Sequence, residues 1–140
     1  MRVILDVNGL LSYLLSPHEW SAVYQVVTAG LNRAFVILLP GELLQEMAWK
    51  SRTKKYLADR ITPLELEEFV RTLSDLAETI PTITEEIPAI TRDPKDDYLL
   101  AYAIVGKADY LVTGDEDLLQ FRQIEKLKIV TAREFLTLIN

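Results

Sequence analysis

Cysteine is absent from this chain of 140 residues, and there is a single histidine, His18, in "SPHEW". The first absence excludes disulfides, thiolate nucleophiles and zinc sites of the Cys/His kind, and the second excludes any facial triad that needs two histidines. A Ser-His-Asp triad would have only His18 to draw on, and no G-x-S-x-G elbow accompanies it, so His18 reads as a loop residue. Long hydrophobic runs are missing too. Stretches such as "FVILLP" fall far short of a membrane span, and no cationic, apolar leader opens the chain. A soluble, cytoplasmic protein with no membrane partner is expected. A bound metal, if any, would be a hard cation held by oxygen atoms.

Hydrophobic residues make up 49% of the chain, enough for a substantial core, and the length is close to the commonest size of one domain. Without repeats, low-complexity tracts or Gly/Ser linkers, residues 1–140 are expected to form a single domain. The net charge of −6 argues at first sight against a nucleic-acid partner, because phosphate backbones reward Lys and Arg. Its distribution matters more than its sum. Asp6, Glu46, Asp96, Asp97, Asp115 and Asp117 are candidates for one site, or for its surroundings; setting those six aside from 21 acids leaves 15 against 15 basic residues. The acidic excess could therefore be local.

Apolar runs in "RVILD" (2–6), "AFVILL" (34–39) and "DYLVT" (109–113) suit parallel strands covered on both faces. "LKIVT" (127–131) is a shorter candidate, and a fifth lies in "AETIPTI". Helical periodicity fills about 8–15, 19–31, 40–50, 62–78, 95–106 and 132–139. Strands alternating with helices predict an α/β domain with a mainly parallel central sheet. In such sheets ligands collect beyond the carboxyl ends of the strands, where strand order reverses. Asp6 ends the first strand, and Asp115 and Asp117 lie just past the third.

Each acid has a structural reading beside the functional one. Asp6 or Asn8 could cap the following helix; if Asn8 caps, Asp6 is free, and an ionised carboxylate closing a buried strand needs a partner. Glu46 interrupts an apolar helical stripe of Leu39, Leu43 and Met47, whereas Glu42 at the helix start is explained by the macrodipole. In "RDPKDDYLLAYA", Asp93 and Pro94 read as N-cap and first helical residue, and Asp96 as the third, where an acid answers the positive helix end. Asp97 remains, above the stripe of Leu100, Ala101 and Ile104, and is the preferred site residue of the two. In "TGDEDLLQF", Thr113 with Glu116 could form a capping box, or Asp115 could be the cap. The run "KSRTKKYLADR" carries Lys50, Arg52, Lys54, Lys55 and Arg60; it reads as a solvated link between helices, or, beside an acidic metal site, as a phosphate-contacting arm for RNA.

"RVILDVNGLLSYLLSP", "ELLQEM", "RDPKDDYLLAYAIVGKADYLVTGDEDLL" and "IVTAREFL", in that order, resemble the PIN-domain family, and particularly its bacterial branch similar to the VapC toxins of toxin–antitoxin pairs. The late block is the specific part. The resemblance implies a three-layer α/β/α sandwich and a Mg²⁺- or Mn²⁺-dependent ribonuclease, often a homodimer, whose toxin members are held inactive by a cognate antitoxin. It places the family's acids on Asp6, Glu46, Asp97 and Asp115, with Asp117 and Asp96 as helpers. Val7 stands where the family usually has a small hydroxyl residue, and Pro40 where it usually has serine or threonine.

Two rivals belong to other classes. One is a PIN-fold module that binds RNA or a protein without turnover. The other is a Mg²⁺-dependent phosphotransfer domain of receiver or haloacid-dehalogenase type. The second expects an acid two residues after the first aspartate, or a lysine ending the last strand, and Asn8 and "LKIVT" supply neither.

Overall fold

The computed structural model describes residues 1–15 and 20–140, so His18 lies outside the described residues. The chain runs β1 (Arg2–Leu5), α1 (Val7–Leu15), α2 (Ala22–Leu31), β2 (Val36–Pro40), α3 (Gly41–Thr53), α4 (Lys55–Ala58), α5 (Pro63–Leu76) and β3 (Glu78–Ile80). It continues as α6 (Pro94–Val105), β4 (Tyr110–Val112), α7 (Glu116–Leu119), β5 (Gln123–Ile124), β6 (Leu127–Val130) and α8 (Ala132–Ile139).

The strands form one sheet in the order β3-β2-β1-β4-β6-β5. All pairings are parallel except that of the two-residue β5 with β6. Val3, Ile4, Ile37, Leu38, Leu111 and Ile129 are buried because helices cover both faces, giving a three-layer α/β/α sandwich in which the strands read as unbroken apolar runs. Helix α1 packs on α2 and α3, and α2 on α8. Tyr13 of α1 stacks on Phe69 of α5 with ring centroids 5.4 Å apart, which ties α5 to the same layer. The chain returns across the sheet through α6, from β3 at one edge to β4 beside β1.

Local chemistry sets the boundaries. Thr62 with Glu65, and Thr131 with Glu134, close capping boxes on α5 and α8, and Pro63 occupies the first helical position of α5. Helix α5 ends at Leu76, short of the expected 78, because Glu78 already pairs with Leu38 in β3. The fifth strand expected in "AETIPTI" is therefore present, as one edge of the sheet. The basic run expected as a link is mostly helical: α3 continues to Thr53 and α4 begins two residues later. Lys50 and Arg52 near the end of α3 complement its dipole.

Numbered along the chain, the strands lead away from β1 on one side through β2 to β3, and on the other through β4 to β6. Strand order thus reverses between β1 and β4. Their register, Leu5 opposite Val112, brings Asp6 and Thr113 to the same edge.

Candidate metal centre

Asp6 follows directly on β1, and its two carboxylate oxygens do different work. Oδ1 accepts from the Asn8 N–H at 3.3 Å, while Oδ2 accepts from the Thr113 hydroxyl at 2.7 Å. Asp6 itself, not Asn8, therefore caps the start of α1, and the cap leaves it in the site because a carboxylate has a second oxygen. The Asn8 side chain turns elsewhere: its Oδ1 accepts from Lys50 Nζ at 3.1 Å. Burial raises the Asp6 pKa above its ordinary value; the Thr113 and Asn8 donors oppose that, Glu46 adds to it and Lys50 opposes it.

Thr113 is buried and continues β4, its N–H donating to the Val130 carbonyl at 3.0 Å. Its hydroxyl accepts from the Asp115 N–H at 3.0 Å while donating to Asp6. Of the two capping schemes open from sequence, the second holds: Asp115 caps α7, with Oδ1 accepting from the Asp117 N–H at 2.9 Å. The Asp117 carboxylate accepts from Arg92 Nη2 through both oxygens, at 2.7 and 2.9 Å.

The expected division between Asp93, Asp96 and Asp97 holds for the first and reverses for the other two. Asp93 is the N-cap of α6, accepting from the Lys95 N–H at 2.9 Å, with Pro94 at the first helical position. Asp96 is the acid that reaches the site. One carboxylate oxygen from each of Asp96, Asp115 and Asp117 lies within 4.8 Å of the others. Burial, then the hydrogen bond and charge of Asp115, then the charges of Asp93 and Asp6 push the Asp96 pKa up to about 7. Crowded carboxylates resist ionising together without a counter-charge, so Asp96 keeps its proton to an unusually high pH.

Asp97 is not in this group. Its Oδ1 accepts from the Ile90 and Thr91 N–H groups at 3.0 and 2.7 Å, and it lines a separate apolar groove with Ala101 and Ile104. Burial raises its pKa, but the Thr91 and Ile90 donors outweigh that and hold it below the ordinary carboxylate range. The expectation that Asp97 is the third acid of the site is corrected accordingly. On a helix, consecutive residues diverge by about 100°. Asp96 at the third position faces the sheet edge, and Asp97 faces the 81–91 segment that crosses α6.

A crevice of about 140 Å³ is lined by Asp6, Glu42, Glu46, Lys50, Asp96 and Asp115, among others. Glu46 faces it, paired with Lys50 at 3.1 Å across one helical turn. Of the five basic residues singled out from sequence, Lys50 alone lines the crevice; Arg52, Lys54, Lys55 and Arg60 are exposed. Sequence reasoning assigned Glu42 wholly to the helix dipole and missed its place in the wall. Glu42 lies beside the buried Tyr102 hydroxyl, whose pKa is raised by burial and then by this carboxylate. Lys95 was missed too, although a cation in the first turn of a helix opposes the dipole and so signals a role outside the helix.

The donor set fits a hard divalent cation. Every group is an oxygen donor, the acids converge, and one of them holds a proton that a cation would displace. The sequence profile of the PIN domain matches residues 2–117. No curated protein matches the chain in a sequence search.

Proposed function

The chain belongs to the PIN-domain family, whose members are typically metal-dependent nucleases, and from that premise we propose that it is a Mg²⁺- or Mn²⁺-dependent ribonuclease. The observation that carries the reading is the convergence of Asp96, Asp115 and Asp117 within 4.8 Å beside Asp6, at the point where strand order reverses. Asp6, Asp96 and Asp115 hold the cation, with Asp117 as a helper that is paired to Arg92. When bound, the cation supplies Lewis acidity to a phosphodiester and acidifies water.

The chain's own residues do the rest. Thr113 fixes the Asp6 carboxylate and the turn that carries Asp115. Glu46, facing the same crevice, orients the attacking water and accepts its proton, and Lys50 holds Glu46 in place while answering phosphate charge. Arg52, Lys54, Lys55 and Arg60 extend that positive edge along α3 and α4 and their flanks, where they contact the RNA backbone without reading sequence.

Purified protein is expected to cleave RNA with Mg²⁺ or Mn²⁺, to stop with EDTA, and to lose cleavage in Asp6→Asn. Activity that survives Asp6→Asn would sink the assignment, and RNA binding with no metal-dependent turnover would favour a binding module instead. The likeness of "RDPKDDYLLAYAIVGKADYLVTGDEDLL" to the VapC-like branch supports a further reading as the toxin of a toxin–antitoxin pair, acting as a homodimer in the cytoplasm. A small adjoining gene for a DNA-binding antitoxin, and growth arrest on induction that Asp6→Asn abolishes, are the tests of that role.

A further inference from the structure

The crevice is about 140 Å³, well below the roughly 300 Å³ or more of pockets that enclose a whole ligand. A phosphate group fits among the acids; the bases on either side of it do not. They need a surface outside the crevice. Trp49 stands at that position on α3, one residue before Lys50, with 49% of its surface exposed.

Two cations address its ring. Lys54 Nζ, at the end of α3, lies 5.9 Å from the ring centroid, and Lys95 Nζ, from the first turn of α6, lies 5.6 Å from it. Lys95 also lines the crevice, as does Tyr98, which is 47% exposed. Trp49 thus bridges the helix that carries Glu46 to the helix that carries Asp96, on the rim of the site. A lone exposed aromatic needs no explanation, but one met by two lysines beside an acid cluster combines the two elements of single-strand binding, a π-face for bases and cations for the backbone.

We propose that Trp49, with Lys54 and Lys95 around it and Tyr98 nearby, is a stacking platform that selects single-stranded RNA for this site. The proposal takes its RNA partner from the ribonuclease reading above. A base displaces a lysine from the indole face, exchanging an exposed cation–π contact for the stronger base stack, and the freed ammonium turns to the adjoining phosphate. A duplex keeps its base faces stacked on one another and has none to offer. The same cations also offset the repulsion between phosphate and the acids that line the crevice.

The test is binding of an oligoribonucleotide about ten nucleotides long, single-stranded or annealed to its complement, in EDTA at low ionic strength. In Trp20→Phe protein Trp49 is the sole tryptophan. The single strand is expected to quench its emission saturably, and the duplex to leave it unchanged. Trp49→Ala is expected to weaken single-strand binding roughly tenfold, and Trp49→Phe to restore most of it.

Unchanged affinity in Trp49→Ala, or binding without quenching, would overturn the proposal. So would a Trp49→Ala protein whose self-association is lost while its RNA affinity is intact, since this face would then be a contact between copies of the chain. The two readings fail separately. Metal-dependent cleavage with an unaltered KM in Trp49→Ala removes the platform and leaves the nuclease. Saturable quenching with no cleavage under any divalent cation supports the platform and removes the nuclease.

Discussion

The Thr113 hydroxyl donates to Asp6 Oδ2 at 2.7 Å and accepts from the Asp115 N–H at 3.0 Å, so one side chain fixes two acids that are far apart in sequence. A hydroxyl has a single proton, and giving it to Asp6 leaves its lone pairs for the Asp115 N–H. Thr113→Val keeps the shape and removes both bonds. Mn²⁺ affinity measured by calorimetry is expected to fall about 10- to 100-fold, the usual effect of losing a group that orients ligands, and Thr113→Ser to stay near wild type.

Asp96 and Asp97 are neighbours with opposite expected phenotypes. Asp96→Asn removes a carboxylate from the convergent group and is expected to abolish cleavage and weaken Mn²⁺ binding while leaving Tm unchanged or raised. Asp97→Ala removes the acceptor of the Ile90 and Thr91 N–H groups. It is expected to keep Mn²⁺ affinity, to lower Tm by several degrees, and to speed amide exchange at Ile90 and Thr91. The Asp97 pKa is depressed in the folded protein, so this stabilisation is present above the unfolded value of about 3.9 and is lost as pH falls through the folded one.

The Asp96 pKa of about 7 gives the opposite pH dependence. In metal-free protein the folded state binds a proton that the unfolded state, with a pKa of about 3.9, has released. That contribution to stability is complete below the unfolded value and is lost as pH rises through about 7. Burial acts on Asp6 in the same direction. Denaturation of metal-free protein is therefore expected to show declining stability from pH 5 to pH 8 on account of these groups, and saturating Mn²⁺ to abolish the decline. Apparent Mn²⁺ affinity should rise up to roughly tenfold per pH unit below the Asp96 pKa and level off above it, because binding displaces the proton on Asp96.

The family match ends at residue 117, yet α8 supplies part of the core. Phe135 is fully buried, edge-on to Phe35 at 5.2 Å and to Tyr110 at 5.4 Å. We take residues 1–140 as one folding unit. Phe135→Ala is then expected to cost about 3–5 kcal/mol and to shift a single cooperative transition rather than split it, as read by urea denaturation.

Much of this protein was legible from short-range pattern. Apolar runs covered on both faces predicted β1, β2, β4 and β6, and cap chemistry placed the start of α6 at Asp93 and Pro94, because these features depend on residues a few positions apart. The acids at strand ends were legible for the same reason: Asp6 and Asp115 sit where apolar runs stop. What the sequence left open required distant partners. Asp96 and Asp97 are equally acidic and adjacent, and only the meeting of α6 with the 115–117 turn on one side and the 81–91 segment on the other decided between them. Lys50 separated from its basic neighbours because its turn of α3 faces the crevice while theirs face solvent. Trp49 had no periodic signature at all, since the lysines that meet its ring come from two different elements. Residue type and local spacing determined which groups were available for chemistry; the order of strands in the sheet, which joins residues more than 100 positions apart, decided which of them meet.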